Sequence, residues 1–210
     1  MISKRLIKTV GIINIAGPSL YILYRILSLV FLPILKGEQD ISLQVSDNDW
    51  IWLGTLQLIA MALLLFGIVG VYYLLSNVLD TFGFVSISIL FTGMLLATAI
   101  DFLRTYIWPL LVNTNTGLLG NRPEFPSLLW ISMSTYVMVL AGYVLFGLNL
   151  RLKKLFAPAM TMSIILGGVV FWGSNFARDS GIMVEIIGMI FLFVLGLIPL
   201  GWKIYSMYTE

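Results

Sequence analysis

Six stretches of the sequence are continuously apolar for about twenty residues or more. An α-helix rises 1.5 Å per residue, so about 20 apolar residues match the hydrocarbon core of a bilayer. The pattern therefore predicts an all-α, polytopic integral membrane protein, with residues 1–210 forming a single bundle of six transmembrane helices. The predicted spans are residues 9–35, 50–76, 84–112, 128–150, 156–176 and 182–202.

The composition supports a membrane protein and removes several other classes. Apolar residues make up 60% of the chain and charged residues 10%, whereas soluble domains carry about 25% charged residues. A net charge of +2 without a basic stripe gives no reason to expect a nucleic-acid partner. Cysteine and histidine are absent, which excludes thiolate and imidazole ligands and Ser-His or Cys-His nucleophile pairs. We therefore expect no metal and no cofactor, and the lipid bilayer as the surrounding partner.

The distribution of lysine and arginine predicts which end of the bundle faces the cytoplasm. Six spans place both termini on one side, and the cytoplasmic side of a membrane protein carries the excess of basic residues. The terminal side holds seven and the other side three, which predicts an N-in/C-in protein of the cell membrane, with the bacterial cytoplasmic membrane as the expected location. The seven are Lys4, Arg5, Lys8, Arg151, Lys153, Lys154 and Lys203, and the three are Lys36, Arg122 and Arg178.

The first span carries a polar face. Residues 1–8 resemble the basic start of a signal peptide, but the apolar run that follows is too long, so we expect a retained span. Pro18 near its middle is expected to bend the helix, because proline removes a backbone donor. Polar residues recur at spacings of four, three, four and three, which places them on one helix face that should point inward. They are Asn14, Pro18, Tyr21, Arg25 and Ser28.

The third span holds charges where the surroundings should be apolar. Gly93, Ala97, Asp101 and Thr105 are four residues apart, so a small-residue stripe leads directly to an acid. At 1.5 Å per residue Asp101 lies roughly 12 Å from the outer end of the span, and a charge at the centre of a bilayer costs roughly 2.5–3.5 kcal/mol. We therefore predict that Asp101 is buried within salt-bridge reach of an arginine, of which Arg104 is the nearest in sequence.

Polar residues of several spans fall at the same depth, in the outer half of the bundle. We hypothesise an outward-facing cavity that binds or translocates a small anionic or amphipathic, lipid-like ligand. Arginine would bind a carboxylate or phosphate group, and aromatic rings would line the apolar part. The candidate ligand-binding residues are Arg25, Asp101, Arg104, Glu185, Gln57, Asn175, Tyr21, Trp172 and Tyr136.

The sequence leaves three alternatives open. In the first, the charges are structural: Asp101 pairs with Arg25 or Arg104 and Glu185 with the other arginine, in a non-catalytic scaffold subunit with a second copy or another membrane protein as partner. In the second, an intramembrane enzyme uses Asp101 and Glu185 as acid and base, although no residue is assigned a catalytic role. In the third, Arg104 and Glu185 simply extend to the membrane surface.

Overall fold

The structure is a computed structural model, and it describes residues 3–32, 45, 48–114, 126–176 and 181–207. Within these ranges, six helices are long and apolar enough to cross a membrane. The chain is therefore a multi-pass membrane protein with an all-α fold. This confirms the fold class that the apolar pattern predicts.

The six helices are numbered in chain order. The helix α1 is Lys4–Phe31 and α2 is Asp49–Leu75. The helix α3 comprises Thr81–Phe102, a π-helical turn Leu103–Ile107, and Trp108–Thr114. The helix α4 is Pro126–Leu152, and α5 is Pro158–Gly173 followed by a 3₁₀ turn Ser174–Phe176. The helix α6 comprises Gly181–Met189, a π-helical segment Ile190–Leu197, and Ile198–Ser206.

Each predicted span coincides with one helix, and the ends differ most at the two termini. The helix α1 begins at Lys4 rather than at residue 9, because the Ser3 hydroxyl caps it by accepting the Leu6 N–H at 3.2 Å. The helix α6 continues to Ser206 rather than ending at residue 202. Charged residues thus extend both helices beyond their apolar runs. Residues 33–35 of the first predicted span, Lys36, Arg122 and Arg178 lie outside the described residues.

The helices form a closed ring in which each packs antiparallel to its chain neighbours, and α1 packs against α6. Both ends of the chain therefore lie at one end of the ring, which we call the terminal end. The opposite end, where α2 begins and α5 stops, is called the cavity end. Between α1 and α2, Val10 faces Gly70 and Gly17 faces Leu64; between α2 and α3, Gly54 faces Thr105 and Gln57 faces Asp101. Between α3 and α4, Gly83 faces Asn149 and Gly93 faces Val139; between α4 and α5, Tyr143 faces Gly168 and Gly147 faces Ile165. Between α5 and α6, Gly167 faces Leu192 and Phe171 faces Gly188; between α1 and α6, Gly11 faces Tyr205 and Asn14 faces Gly201.

The polar face of α1 points inward, as predicted. Asn14, Pro18, Tyr21 and Ser28 are buried, and the Arg25 side chain is only 16% exposed. Asn14 also joins α1 to α2, because its Nδ2 donates to the Gly67 carbonyl at 3.3 Å as well as to its own helix. The helix remains continuous through Pro18.

Both π-helical segments end immediately before a proline-containing turn, a feature that the sequence pattern does not predict. Pro109 and Pro199 each occupy the second position of the α-helical segment that follows a π segment. Proline cannot donate to the carbonyl four residues earlier, and its ring collides with that carbonyl in a regular helix. A wider turn relieves the collision: the Trp108 N–H donates to Leu103 and the Ile198 N–H to Phe193, five residues back. In α3 this wider turn contains Arg104.

A glycine brings the backbones of α5 and α6 into direct contact. A Cβ atom added to Gly167 would lie 2.2 Å from the backbone nitrogen of Leu192. Ser163, four residues earlier, is also buried. The pair of small residues therefore lies on an interhelical surface, as is usual for helix packing in membranes.

Asp80 joins α3 to α4 at the terminal end. Its Oδ1 accepts the Gly83 N–H at 3.0 Å, which caps α3, and the Asn149 Nδ2 at 3.3 Å. Its Oδ2 lies 2.8 Å from Lys153 Nζ. The hydrogen bond from Lys153, followed by that from Gly83, lowers the pKa of Asp80 from 3.8 to about 2. The turn between α2 and α3 has an acid and no base of its own, and the base comes from the end of α4.

We expect Gly167→Ala to destabilise the protein by on the order of 1–3 kcal/mol, because the added methyl group forces α5 and α6 apart. The measurement is thermal melting of the purified protein in detergent. Gly173→Ala, in the same helix, is the matched control, since the nearest atom to its new Cβ is Leu140 Cδ1 at 3.9 Å. Equal losses in the two variants would contradict the close α5–α6 contact.

The stability that Asp80 supplies should disappear in acid. Its pKa is lower in the folded chain than in the unfolded chain, so the unfolded chain takes up the proton first as the pH falls. The contribution is complete above about pH 5 and declines as the pH falls toward about 2. The measurement is the difference in melting temperature between the wild type and Asp80→Asn at each pH. A difference that stays constant down to about pH 2 would exclude this role.

Candidate ligand-binding cavity

A cavity of about 470 Å³ lies within the ring toward the cavity end and is lined by all six helices. We call it the polar cavity, because most of its exposed surface is polar. Its volume falls within the roughly 300–1,000 Å³ typical of small-molecule sites. All nine candidate residues from the sequence lie on its wall: Arg25, Asp101, Arg104, Glu185, Gln57, Asn175, Tyr21, Trp172 and Tyr136.

One ion pair on the wall joins the first helix to the last. Arg25 of α1 bonds through Nη2 to Oε2 of Glu185 in α6. Their side chains are 16% and 24% exposed, so both charges are largely removed from surrounding solvent or lipid. The pair therefore closes the ring between α1 and α6 at the level of the polar cavity. Of the two arginines that the sequence offered to Glu185, the structure pairs it with Arg25.

The second pair is looser and lies within one helix. Arg104 Nη1 is 3.7 Å from Asp101 Oδ1, which is too long for a hydrogen bond. Asp101 Oδ2 instead accepts a hydrogen bond from Gln57 Nε2 of α2 at 2.9 Å. The Asp101 side chain is 14% exposed. Asp101 is thus largely inside the bundle, although not fully buried, and the predicted arginine within salt-bridge reach is Arg104.

Arg104 is fixed at its backbone and only partly engaged at its guanidinium group. Its carbonyl oxygen accepts the Trp50 indole N–H at 3.1 Å, and its Cζ lies 5.5 Å from the centre of the Trp108 ring. Its Nη1 donates to the Tyr136 hydroxyl at 3.2 Å. Nε is buried and has no partner among the described residues. Since guanidinium carries five N–H donors, most of them have no hydrogen-bond partner among the described residues.

Aromatic rings form another part of the wall. Trp172 meets Phe171 edge to face with ring centres 5.4 Å apart, and its ring lies 5.9 Å from the Tyr136 ring. Tyr21 of α1 reaches the same group, with its ring 5.8 Å from Phe171. These rings give the wall an apolar part beside its charged groups.

A smaller cavity of about 130 Å³ adjoins the polar cavity. We call it the side chamber. The two share four lining residues, Tyr24, Gln57, Asp101 and Arg104. Beyond them, the side chamber is lined mainly by apolar groups of α1 and α2: Leu32, Trp50, Leu53 and Gly54, with Thr105 of α3. The loose pair therefore lies between a polar space and a small, less polar one.

Some residues that line the polar cavity were not among the candidates from the sequence, and one polar residue next to a candidate does not line it. Tyr24 lines both cavities, and its position three residues after Tyr21 on one helix face was an available signal. Phe171 and Ile100 are apolar and gave no signal. Thr135 is fully buried but bonds back to the Ile131 carbonyl at 2.8 Å instead of lining the polar cavity. Depth along a span was predictable, whereas the rotation of α4 about its axis was not.

Two of the alternative interpretations change in light of this geometry. Arg104 and Glu185 do not extend to a membrane surface, since each takes part in an ion pair on the wall. Asp101 and Glu185 face different arginines and are not a mutually bonded carboxylate pair. Among the residues that the structure describes, no group of three or more acids could hold a metal ion.

Comparisons with protein-family models, with curated proteins and with solved structures find no match for this chain. The argument for function therefore depends on the cavity and its contacts alone.

Glu185→Gln should destabilise the protein more than Asp101→Asn. The first change leaves Arg25 uncompensated in the pair that joins α1 to α6, at an expected cost on the order of 1–3 kcal/mol. The second affects a pair within one helix, and the asparagine oxygen still accepts the hydrogen bond from Gln57. Thermal melting in detergent compares the two variants. A larger loss for Asp101→Asn would mean that the loose pair, rather than the α1–α6 pair, holds the ring together.

Proposed function

We propose that this protein binds a small anionic or amphipathic ligand in the polar cavity. The observation that supports the proposal most directly is the state of Arg104. Its guanidinium group is on the cavity wall, its contact with Asp101 is 3.7 Å, and its Nη2 makes no hydrogen bond among the described residues. An anionic group in the polar cavity would supply the charge-assisted hydrogen bonds that Asp101 does not make at this distance.

The two arginines have different roles in this proposal. Arg25 is committed to Glu185 and maintains the ring, so it borders the ligand without being its main anchor. Arg104 supplies the donors for a carboxylate or phosphate group, because a planar guanidinium can bind two oxygens at once. Phe171 and Trp172 supply the surface for an apolar part of the ligand.

In the same proposal the protein lies N-in/C-in in a cell membrane, so that the polar cavity opens to the outer face. Lys4, Arg5 and Lys8 lie at the start of α1, and Arg151, Lys153 and Lys154 lie at the end of α4. Both groups are at the terminal end of the ring. Their charge favours a cytoplasmic location for that end, and the ligand would then enter from outside.

A scaffold role is the second candidate, and the charge balance supports it. The charges of the two acids and two arginines on the wall sum to zero, so the two ion pairs are consistent with a role in helix packing alone. The 3.7 Å contact between Arg104 and Asp101 favours ligand binding over this alternative, because a pair that served packing alone would gain from direct hydrogen bonding.

Native mass spectrometry of the protein extracted in mild detergent tests the two candidates together. We expect a retained small molecule in the wild type and its loss in Arg104→Gln, since the substitution removes the guanidinium donors. Arg151→Gln is the matched control, because Arg151 is exposed at the terminal end. A protein that retains a stoichiometric partner subunit and no small molecule would support the scaffold instead.

A further inference from the structure

We infer, on the basis of the proposed function, that the ligand is a zwitterion whose anionic group binds Arg104 and whose cationic group binds Asp101. The inference names the class of ligand for the polar cavity. It rests on the balance of charge, on the vacant atoms of the loose pair and on the side chamber that adjoins that pair.

The charges on the wall already balance. Arg25 and Arg104 oppose Asp101 and Glu185, and all four side chains are less than one third exposed. A ligand with a net charge would leave that charge uncompensated where water is scarce, which is costly. A ligand that carries one charge of each sign keeps the sum at zero.

The vacant donor and acceptor lie on the same pair. Asp101 Oδ2 is used by Gln57, whereas Oδ1 accepts no hydrogen bond among the described residues and is 3.7 Å from Arg104 Nη1. On the other side, the hydrogen bonds of the Arg104 guanidinium within the described residues come from Nη1 alone. An ammonium group fits the vacant carboxylate oxygen, and a carboxylate or phosphate group fits the vacant guanidinium donors. In the Arg25–Glu185 pair, by contrast, the two charged groups are in direct contact through Nη2 and Oε2.

The side chamber indicates what else the ligand carries. Its volume of about 130 Å³ lies beside Asp101 and Arg104, and Leu32, Trp50 and Leu53 line its far wall. At about 30 Å³ for each group the size of a water molecule, it has room for about four such groups. That is room for a small substituent of about four heavy atoms next to the charged groups, and the apolar residues of the far wall favour an apolar one. The same charge pattern occurs in a free amino-acid-like zwitterion and in the head group of a zwitterionic phospholipid.

The test uses the full chain in lipid nanodiscs and three probes that differ in charge. They are L-leucine as the zwitterion, N-acetyl-L-leucine as the anion and L-leucinamide as the cation, which share the leucine side chain and differ at the amino or carboxyl group. By calorimetry we expect leucine to bind at least about tenfold more tightly than either derivative, because each derivative loses one charge-assisted hydrogen bond. A parallel arm compares retention of phosphatidylethanolamine and phosphatidylglycerol by native mass spectrometry. Selective retention of phosphatidylethanolamine without leucine binding would support the inference with a lipid as the source.

Asp101→Asn provides a second, independent readout. It removes one negative charge, so leucine should bind at least about tenfold more weakly and N-acetyl-L-leucine more tightly than to the wild type. Asp80→Asn is the matched control at the terminal end and should leave both affinities unchanged. The comparison of probes on the wild type does not depend on how well either variant folds.

Two outcomes would overturn the inference, and they differ in what they leave standing. Tighter binding of N-acetyl-L-leucine than of leucine, or selective retention of phosphatidylglycerol, would overturn the zwitterion and leave the proposed anionic ligand in place. No binding of any probe together with no retained small molecule or lipid would overturn both the inference and the proposed function.

Discussion

A charged side chain inside an apolar helical bundle must be compensated by the protein itself, and the structure depends on this constraint at the cavity end. Arg25 and Glu185 meet across α1 and α6, the two helices that have no short connection along the chain. Because separating such a pair leaves an uncompensated charge, it resists opening of the ring. At the terminal end, direct contacts such as Gly11 against Tyr205 close the same seam.

The second ion pair, Asp101 with Arg104, is kept loose by the π-helical turn of α3 and by contacts from α2. Pro109 cannot take part in regular helical hydrogen bonding, and the π-helical turn that precedes it contains Arg104. The Trp50 indole binds the Arg104 carbonyl, while Gln57 holds one oxygen of Asp101. Each partner of the pair is thus positioned by a neighbouring helix and not by the other partner. This explains why donors and an acceptor of the pair remain vacant. π-helical turns of this kind are frequent at functional sites.

The sequence predicted the parts of the structure that follow from local periodicity. Helix number comes from the lengths of the apolar runs, the inward face of α1 from the spacing of its polar residues, and the place of Asp101 inside the bundle from the cost of a charge in lipid. The sequence left open whether Asp101 pairs with Arg25 or Arg104, because that choice depends on how the helices rotate and which helices are neighbours. For the same reason the sequence did not show that Tyr136 lines the polar cavity while the adjacent Thr135, fully buried, does not. The only sequence signal of each π-helical turn was the proline that follows it.

The loose ion pair bears on function because a ligand can use the atoms that the pair leaves vacant. Arg104 Nη2 and Asp101 Oδ1 make no hydrogen bond in the described part of the chain, and a hydrogen bond to a charged group contributes roughly 1.5–3 kcal/mol. A side chain that served only packing would gain by rotating toward an acceptor, and Tyr136 and Asp101 are already within reach of the guanidinium. A ligand that fills the vacant positions lowers the free energy of the folded state alone. Binding in the polar cavity and the stability of α3 are therefore coupled through Arg104.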